Sequence, residues 1–183
     1  LSSGRLAHRK GSTMRLRLRT VALVMGALAL SVSAVTMVGH TAPAASAATP
    51  ADCWAPARDL VNWSGCDKPG AALYGARLNF ANLTHANLSG AQLLHASLIH
   101  ADLSDANLSG ANLTGETSLI GANLTGVDLY RANLIDAVLI DANLTRADLT
   151  RADLSGANLS RAQCSNDTIW PDGTKGHGTN CPK

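Results

Sequence analysis

The chain has 183 residues, of which 15 are Lys or Arg and 13 are Asp or Glu, and aromatic residues make up only 3%. Six of the cations lie in the first 19 residues, ahead of every acid, so the rest of the chain carries nine cations against 13 acids, a net charge of −4. This weakly acidic part lacks both the basic stripe that nucleic-acid binding needs and a strong acidic field.

The N-terminal residues show the order of a secretory leader. Residues 1–13 precede the first methionine, Met14, and we interpret them as an upstream segment outside the folded protein. From Met14 there follow three arginines, an apolar run from Val21 to about Val38, and the small residues Ala45-Ser46-Ala47. This order predicts a signal peptide over residues 14–47, cleaved after Ala47, and a secreted or envelope-associated product without a membrane anchor. A retained anchor is the alternative, because the apolar run approaches the length of a spanning helix.

Leucine recurs at every fifth position from Leu73 to Leu113 and from Leu119 to Leu159, with an alanine two residues before nearly every one. In an α-helix such leucines rotate by about 140° each time and form no stripe. In a flat strand the odd spacing sends them to opposite faces. The chain must therefore bend at every repeat. If each bend is about a right angle, roughly twenty residues make one coil of a solenoid. The inward ladder then includes Leu73, Leu83, Leu93, Leu103, Leu113, Leu124, Leu134, Leu144 and Leu154.

One leucine spacing is six residues rather than five. It lies between Leu113 and Leu119, with Thr117 where the alanine would stand. The extra residue predicts a bulge at Gly115-Glu116. A tolerated corner insertion explains it, and the alternative is a recognition knob, because bulges re-aim side chains.

Degenerate repeats continue on both sides and predict caps, which the open ends of a solenoid require. In residues 48–70 the segments VNWSG and CDKPG are in frame and place Trp63 in a central slot as a lid. In residues 162–183 the frame continues through AQCSN and DTIWP, which places Cys164 and Ile169 in central slots.

The four cysteines of an exported chain indicate two disulfides, for which three connectivities exist. We predict Cys53–Cys66 and Cys164–Cys181, because each pair closes a loop of about 15 residues, worth roughly 3 kcal/mol, and pins one cap. A buried free thiol at Cys164 is the alternative.

The run from Ala71 to Arg161 follows the pattern A-(D/N)-L-x-x almost without interruption and resembles the pentapeptide-repeat proteins. The resemblance implies an all-β fold, a right-handed quadrilateral β-helix over residues 71–161. It also implies that the leucine and the alanine two residues before it point inward. The handedness comes from the resemblance alone.

No set of residues points to catalysis, a cofactor or a metal site, so we expect a protein that is not an enzyme. His85, His95 and His100 fall on different sides of the coil, whereas a metal needs convergent ligands. Adding about one coil length places Asp128 with Asp148 and Arg131 with Arg151, a patch of alternating charge. We expect it to be a solvated face, because exposed ion pairs contribute at most about 1 kcal/mol each. The asparagines before the leucines are expected to bond the backbone or one another in ladders.

The leading functional hypothesis is a secreted, non-catalytic scaffold or structural module. Its partner would be an unknown protein or envelope component, not nucleic acid. The resemblance supplies one alternative, since some members of that family mimic duplex DNA and bind or protect a type II topoisomerase. A second alternative is ice or crystal-surface binding through Thr84, Thr125 and Thr145, which share one face. Phe80, predicted at an outward corner, marks a self-association contact if the protein is a homodimer.

Overall fold

The computed structural model describes residues 51–176 and Cys181. Residues 1–13, the predicted signal over 14–47, residues 48–50, and the tail after Gly176 apart from Cys181 lie outside the described residues. Across residues 51–176, no helix is long and apolar enough to cross a membrane.

The described chain winds as a parallel β-solenoid in which each coil pairs with the next through single-residue bridges. Most bridge partners are twenty residues apart, as in Asn62 with Asn82 and Asn82 with Asp102, and every fifth residue takes part. Four bridge columns therefore run along the molecule and give it four sides. Neither an α-helix nor a longer strand occurs in residues 51–176, because the chain turns a corner after each bridge.

Each repeat closes with a tight turn that contains a residue of positive φ. The carbonyl of Leu83 accepts a hydrogen bond of 3.1 Å from the N–H of Ala86, and His85 between them has a φ of 55°. A left-handed residue in this position is typical of a type II turn. Glycine holds the position at Gly90 and Gly110, whereas a residue with a Cβ pays roughly 1–2 kcal/mol for the conformation.

The interior is a column of buried leucine and alanine side chains. Every central leucine from Leu78 to Leu149 is at most 1% exposed, and so is nearly every alanine two residues before it. Each buried leucine contributes about 1.5–3 kcal/mol relative to exposure, so stability is distributed along the column. Leu154, which we expected in the same ladder, is only partly buried, because no later coil pairs with its side.

Trp63 closes the N-terminal end in the predicted central slot. It is 2% exposed, and its indole N–H donates to the carbonyl of Ala55 at 3.1 Å. The ammonium of Lys68 lies 4.1 Å from the centre of the Trp63 ring and donates to the carbonyl of Cys53 at 2.7 Å. A disulfide joins Cys53 to Cys66, so the segment that crosses the open end is held to the first coil.

The predicted bulge lies at Gly115-Glu116, where both residues have positive φ. Beyond it the bridge spacing is twenty-one, as in Ser97 with Ser118, and the leucine column continues. Thr117 takes the inward alanine position, fully buried, and its hydroxyl lies 2.8 Å from the carbonyl oxygens of both Leu93 and Thr114.

A second insertion, which the sequence analysis missed, interrupts the C-terminal cap. Gln163 pairs with Asn143, twenty residues before it, but Ile169 pairs with Asp148, twenty-one residues before it. The prediction that Ile169 fills a central slot is therefore wrong. Ile169 lies at an outward bridge position and Trp170, 7% exposed, fills the slot.

Both insertions place a buried threonine at the inward position. Thr168, like Thr117, follows an acidic residue, occupies the inward alanine position, and is fully buried. Its hydroxyl donates to the carbonyl of Leu144 at 2.8 Å and accepts the N–H of Ser165 at 3.0 Å. A buried threonine thus supplies hydrogen bonds where the extra residue displaces the backbone.

The C-terminal end is closed by a reversal of the chain. Ile169 forms an antiparallel bridge with Lys175, and the N–H of Trp170 donates to the carbonyl of Thr174 at 2.8 Å. Cys164, 5% exposed in its central slot, forms a disulfide with Cys181.

Candidate functional site

The outward residues sort by side, because stacking brings together positions about twenty residues apart. Each repeat presents a bridge residue and two turn residues to the outside, so every side and every corner is a column. One side, with its two corners, collects most of the large apolar residues. We call it the apolar side. It consists of the bridge column Arg77, Ser97, Ser118, Val138 and Asn158 and of the flanking corners that hold Leu60, Tyr74, Phe80, Leu94, Ile99, Ile120, Ile135 and Ile140.

The apolar side is open to solvent, most of all towards the N-terminal end. Leu60 is 75% exposed, Tyr74 is 60% exposed and Phe80 is 57% exposed. The Phe80 ring stacks on His100 in the next coil, with ring centres 5.3 Å apart. Elsewhere in the stacked repeats of residues 58–171, the large apolar side chains that face outward are Tyr130 and Ile169.

Two of these exposed residues also hold an unfavourable backbone conformation. Leu60 has a φ of 62° and Phe80 has a φ of 57°, in the turn position that takes a positive φ in nearly every repeat and elsewhere carries glycine, histidine or a charged residue. A bulky residue at positive φ is unusual, and strain of this kind clusters at functional positions. The positive φ is shared by the corners of the whole solenoid, so what distinguishes this corner is the exposure of its large apolar side chains.

Charged residues frame the apolar side at both ends. Arg77 pairs with Asp59 at 2.6 Å near the N-terminal end, and Arg161 pairs with Asp141 at 2.6 Å near the C-terminal end. The hydrogen bond from the Arg161 guanidinium, aided by its charge, lowers the pKa of the Asp141 carboxyl, and the same contact raises the pKa of Arg161. His95, Glu116 and Asp136 lie on the other corner of this side.

The predicted surface patch lies on the opposite side, where Asp128 forms a bridge with Asp148. Its side chains do not pair as alternating charges. The carboxylate of Asp128 accepts the N–H of Tyr130 at 2.9 Å, and that of Asp148 accepts the N–H of Thr150 at 2.8 Å. The ion pairs within residues 51–176 are formed elsewhere.

The arginines of the patch contact an aromatic ring instead. The guanidinium carbons of Arg131 and Arg151 lie 5.1 Å and 5.9 Å from the centre of the Tyr130 ring, and Arg151 also donates to the Tyr130 hydroxyl at 3.2 Å. We call Tyr130, Arg131 and Arg151 the tyrosine cluster. Tyrosine and arginine are enriched among the residues that dominate protein interfaces.

The remaining polar surface is occupied by hydrogen bonds within and between repeats. The amide oxygen of Asn82 accepts the N–H of Thr84 at 3.2 Å, and the same Asx arrangement recurs at Asn123 and Asn143. Neighbouring coils are also linked, as from Asn87 to Asp67 at 2.6 Å. The predicted backbone bonds and ladders of these residues are therefore confirmed.

The threonines that share one face are also engaged in hydrogen bonds within their own repeats. The hydroxyls of Thr84, Thr125 and Thr145 donate to the asparagine of their own repeat at 2.6–2.9 Å. Ser104 and Ser165 fall in the same column and interrupt it. The hydroxyl protons of these threonines are therefore already used inside the protein.

The three histidines occupy three different corners, as their spacing predicts. Among residues 51–176 and Cys181, no group of three or more His, Cys, Asp or Glu side chains lies close enough to hold a metal ion.

Comparison with known proteins finds repeated matches to one family. The model of the family described as pentapeptide repeats matches residues 76–115, 116–151 and 137–166, with eight copies. The chain is similar to the crystal structure of HetL, a pentapeptide repeat protein involved in heterocyst differentiation regulation from the cyanobacterium Nostoc sp. strain PCC 7120. The identity is 35% and the TM-score 0.51, over 64% of this chain and 52% of HetL. This chain thus spans about half the length of HetL.

A second similar structure is that of the pentapeptide repeat protein Rfr23 from the cyanobacterium Cyanothece 51142, with 31% identity and a TM-score of 0.51 over 60% of this chain and 90% of Rfr23. QnrB1, a plasmid-mediated fluoroquinolone resistance protein, matches at 20% identity over 67% of this chain and 78% of its own, with a TM-score of 0.29. That likeness carries no argument about function. No curated protein sequence matches. The two nearer structures support the right-handed, four-sided β-helix expected from the repeat pattern.

Proposed function

Because the chain belongs to the pentapeptide-repeat family, we propose that it is a secreted, non-catalytic scaffold whose rigid outer sides bind a protein or a component of the cell envelope. Its sides repeat every coil, so a ligand would meet a fixed array of side chains. The proposal includes neither a cofactor nor a nucleic-acid partner.

The observation that carries the proposal is the placement of the disulfides. Cys53–Cys66 fastens one end of the solenoid and Cys164–Cys181 fastens the other. Disulfides persist in oxidising compartments and are rare in the cytosol. All four cysteines are used in this way, which agrees with the export expected from the leader over residues 14–47.

A second observation supports binding rather than catalysis. The interior is filled by leucine and alanine, so ligands have access to the outside only. There the Asx turns and ladders hold most asparagine and aspartate side chains in fixed hydrogen bonds. A surface fixed in this way is suited to recognition by shape.

Export and oxidation are tested together by fractionating the producing cells and measuring the intact mass of the protein with and without reductant. The expected species begins at Ala48, lies in the medium or envelope fraction, and gains four hydrogen atoms on reduction, two for each disulfide. A variant with Ala47→Arg, which blocks cleavage next to the small-residue motif, serves as the unprocessed control. Full-length, reduced protein in the cytoplasm would overturn the proposal and favour the topoisomerase-binding alternative.

Binding is tested by co-sedimentation of the purified protein with envelopes isolated from the same cells. The tyrosine cluster is the contact that we expect to matter, so Tyr130→Ser should weaken sedimentation severalfold. Ser109→Ala is the matched control, because Ser109 occupies the same corner column one coil earlier. Equal binding by wild type and Tyr130→Ser would remove the cluster from the proposal, and no sedimentation at all would remove the envelope as partner.

A further inference from the structure

On the apolar side, two corner columns of large apolar side chains, exposed or half-buried, flank a bridge column that is mostly polar, and the described chain leaves these columns uncovered. Its columns run from Leu60 at one end to Ile140 near the other, on one side of four. Contiguous exposed apolar surface of this kind marks an interaction site. We propose that the apolar side is covered by the same side of a second copy of this chain, packed antiparallel. This inference does not depend on export and would stand if the protein stayed in the cytoplasm.

Column geometry makes the apolar side complementary to itself when the order of coils is reversed. For a two-fold axis midway between Ile99 and Ile120, each column meets the same column of the second copy running the other way. Ile99 then faces Ile120 of the second copy, and Tyr74 faces Ile135 of the second copy. Large apolar residues therefore meet in these two pairs, and at the centre Ser97 meets Ser118 of the second copy, in the self-complementary pattern of a two-fold dimer.

The charges on this side match in the same arrangement. Arg77 faces Val138 of the second copy and lies between Asp136 and Asp141 of that copy. His95 faces the bulge that carries Glu116. By the two-fold symmetry, Arg77 of each copy meets the carboxylates of the other copy, so opposite charges lie near both ends of the contact, and such complementarity fixes orientation.

A parallel arrangement brings like charges together. With a two-fold axis along the solenoid, Arg77 would face Arg77 of the second copy, and Asp136 would face Asp141 of the second copy. Juxtaposed like charges are strongly unfavourable at an interface. The charge distribution therefore selects the antiparallel pair.

Phe80 is an exposed aromatic residue in a turn position that takes a positive φ in nearly every repeat. This residue is 57% exposed and has a φ of 57°, so it costs free energy both by its hydration and by its conformation. Glycine fits the same turn position with nothing in its way at Gly90 and Gly110. In the antiparallel pair Phe80 faces Asp141 of the second copy, so the ring would lie at the edge of the contact, beside the Asp141–Arg161 ion pair.

The first test is sedimentation equilibrium of the protein purified with both disulfides intact. We expect a concentration-dependent dimer. Ile99→Asp, which puts a charge at the centre of the contact, should raise the dissociation constant of the dimer at least tenfold. Ser109→Asp is the matched control, at an equivalent turn position on the opposite side of the same coil, and should leave the constant unchanged. Circular dichroism checks that both variants fold.

The second test addresses orientation. Arg77→Glu and Asp136→Arg should each weaken an antiparallel dimer. The double variant should recover most of the affinity, because the two exchanged charges would again be opposite in sign where they meet between copies. In a parallel pair Asp136→Arg alone would strengthen the dimer. The two residues lie three coils apart within one chain, so recovery in the double variant requires contact between copies.

A protein that is monomeric up to millimolar concentration would overturn the inference, as would a dimer indifferent to Ile99→Asp. If the monomer instead bound a different protein through this side, the second copy would be the wrong occupant. Strengthening by Asp136→Arg would refute the antiparallel orientation.

Discussion

Replacing Thr117 by valine tests whether its buried hydroxyl is what makes the first bulge tolerable. Valine has nearly the same shape, so the change opens no cavity and removes only the hydrogen bonds. The hydroxyl lies 2.8 Å from the carbonyl oxygens of Leu93 and Thr114. The Leu93 carbonyl keeps a partner, the N–H of Ala96 at 2.9 Å, whereas the Thr114 carbonyl keeps only the N–H of His95 at 3.3 Å.

The expected loss follows from that difference. An unsatisfied buried polar group costs about 1–3 kcal/mol, and only one of the two carbonyls is left poorly bonded. We therefore expect Thr117→Val to lower the free energy of unfolding by about 1–2 kcal/mol. For a urea m-value of about 2 kcal/mol/M, the unfolding midpoint should fall by about 0.5–1 M.

Urea denaturation of the oxidised protein, followed by circular dichroism, measures this shift. Thr168→Val should give a loss in the same direction, because Thr168 bonds the Leu144 carbonyl in the second bulge. Thr125→Val is the control. Its hydroxyl bonds only the Asn123 side chain at the surface, so a change within about 0.5 kcal/mol is expected. If Thr117→Val were as stable as wild type, or if the control lost as much, the hydroxyl would not be what closes the bulge.

Three further results are expected. In the same urea assay, Leu103→Ala should lower the free energy of unfolding by about 2–5 kcal/mol. Leu154→Ala should lower it clearly less, because Leu103 is fully buried and Leu154 only partly. Equal losses would contradict a leucine column whose packing weakens at its end. Ser118→Ala should raise the free energy of unfolding by up to about 1 kcal/mol, because the Ser118 hydroxyl is buried without a hydrogen-bond partner and such a group is costly. A lower urea midpoint in the variant would show that the hydroxyl does have a hydrogen-bond partner. Arg161→Ala should raise the pKa of Asp141, which its hydrogen bond holds below the ordinary 3.8. Because the pKa is lowered in the folded state, the ion pair contributes to the free energy of unfolding above pH 3.8, and this contribution is lost as the pH falls through the folded-state pKa. The measurement is an NMR titration of the Asp141 carboxyl in wild type and variant. An unchanged Asp141 pKa in the variant would contradict the ion pair.

The leucine column was predictable because a period of five leaves few geometries open. Neither helix nor flat strand brings Leu83, Leu93 and Leu103 together, whereas one bend per repeat does, and these residues are fully buried. The first bulge at Gly115-Glu116 was predictable for the same reason, since a spacing of six in an unbroken column stands out.

The second bulge was missed because the column there has lost its leucines. With Cys164 before it and Ile169 and Trp170 after it, either apolar residue could continue the frame. The signal was present in the acid-threonine pair Asp167-Thr168, which repeats Glu116-Thr117 of the first bulge.

Surface columns could be tabulated from sequence, but the directions of their side chains could not. Asp128, Asp148, Arg131 and Arg151 lie in the expected columns, yet the carboxylates bond their own turns and the arginines contact Tyr130. The rotamer of each side chain depends on the hydrogen-bond donors and rings around it, and the repeat period of the sequence does not specify these. The apolar side, in contrast, could have been found from the sequence. The same assignment of residues to columns had only to be applied to isoleucines such as Ile99, Ile120 and Ile140 as well as to charged residues.

The outer surface and the interior repeat with different periods. Outward residues align only after a whole coil of about twenty residues, whereas the inward leucines repeat every five residues. Loss of a single five-residue repeat after Ile120 would keep every leucine inside, yet it would carry Ile135, Val138 and Ile140 a quarter turn away from Phe80. Loss of a complete coil would shorten the molecule and leave these residues aligned. Once its exterior is in use, such a protein can change length freely only by whole coils, even though its core would accept a change of one repeat.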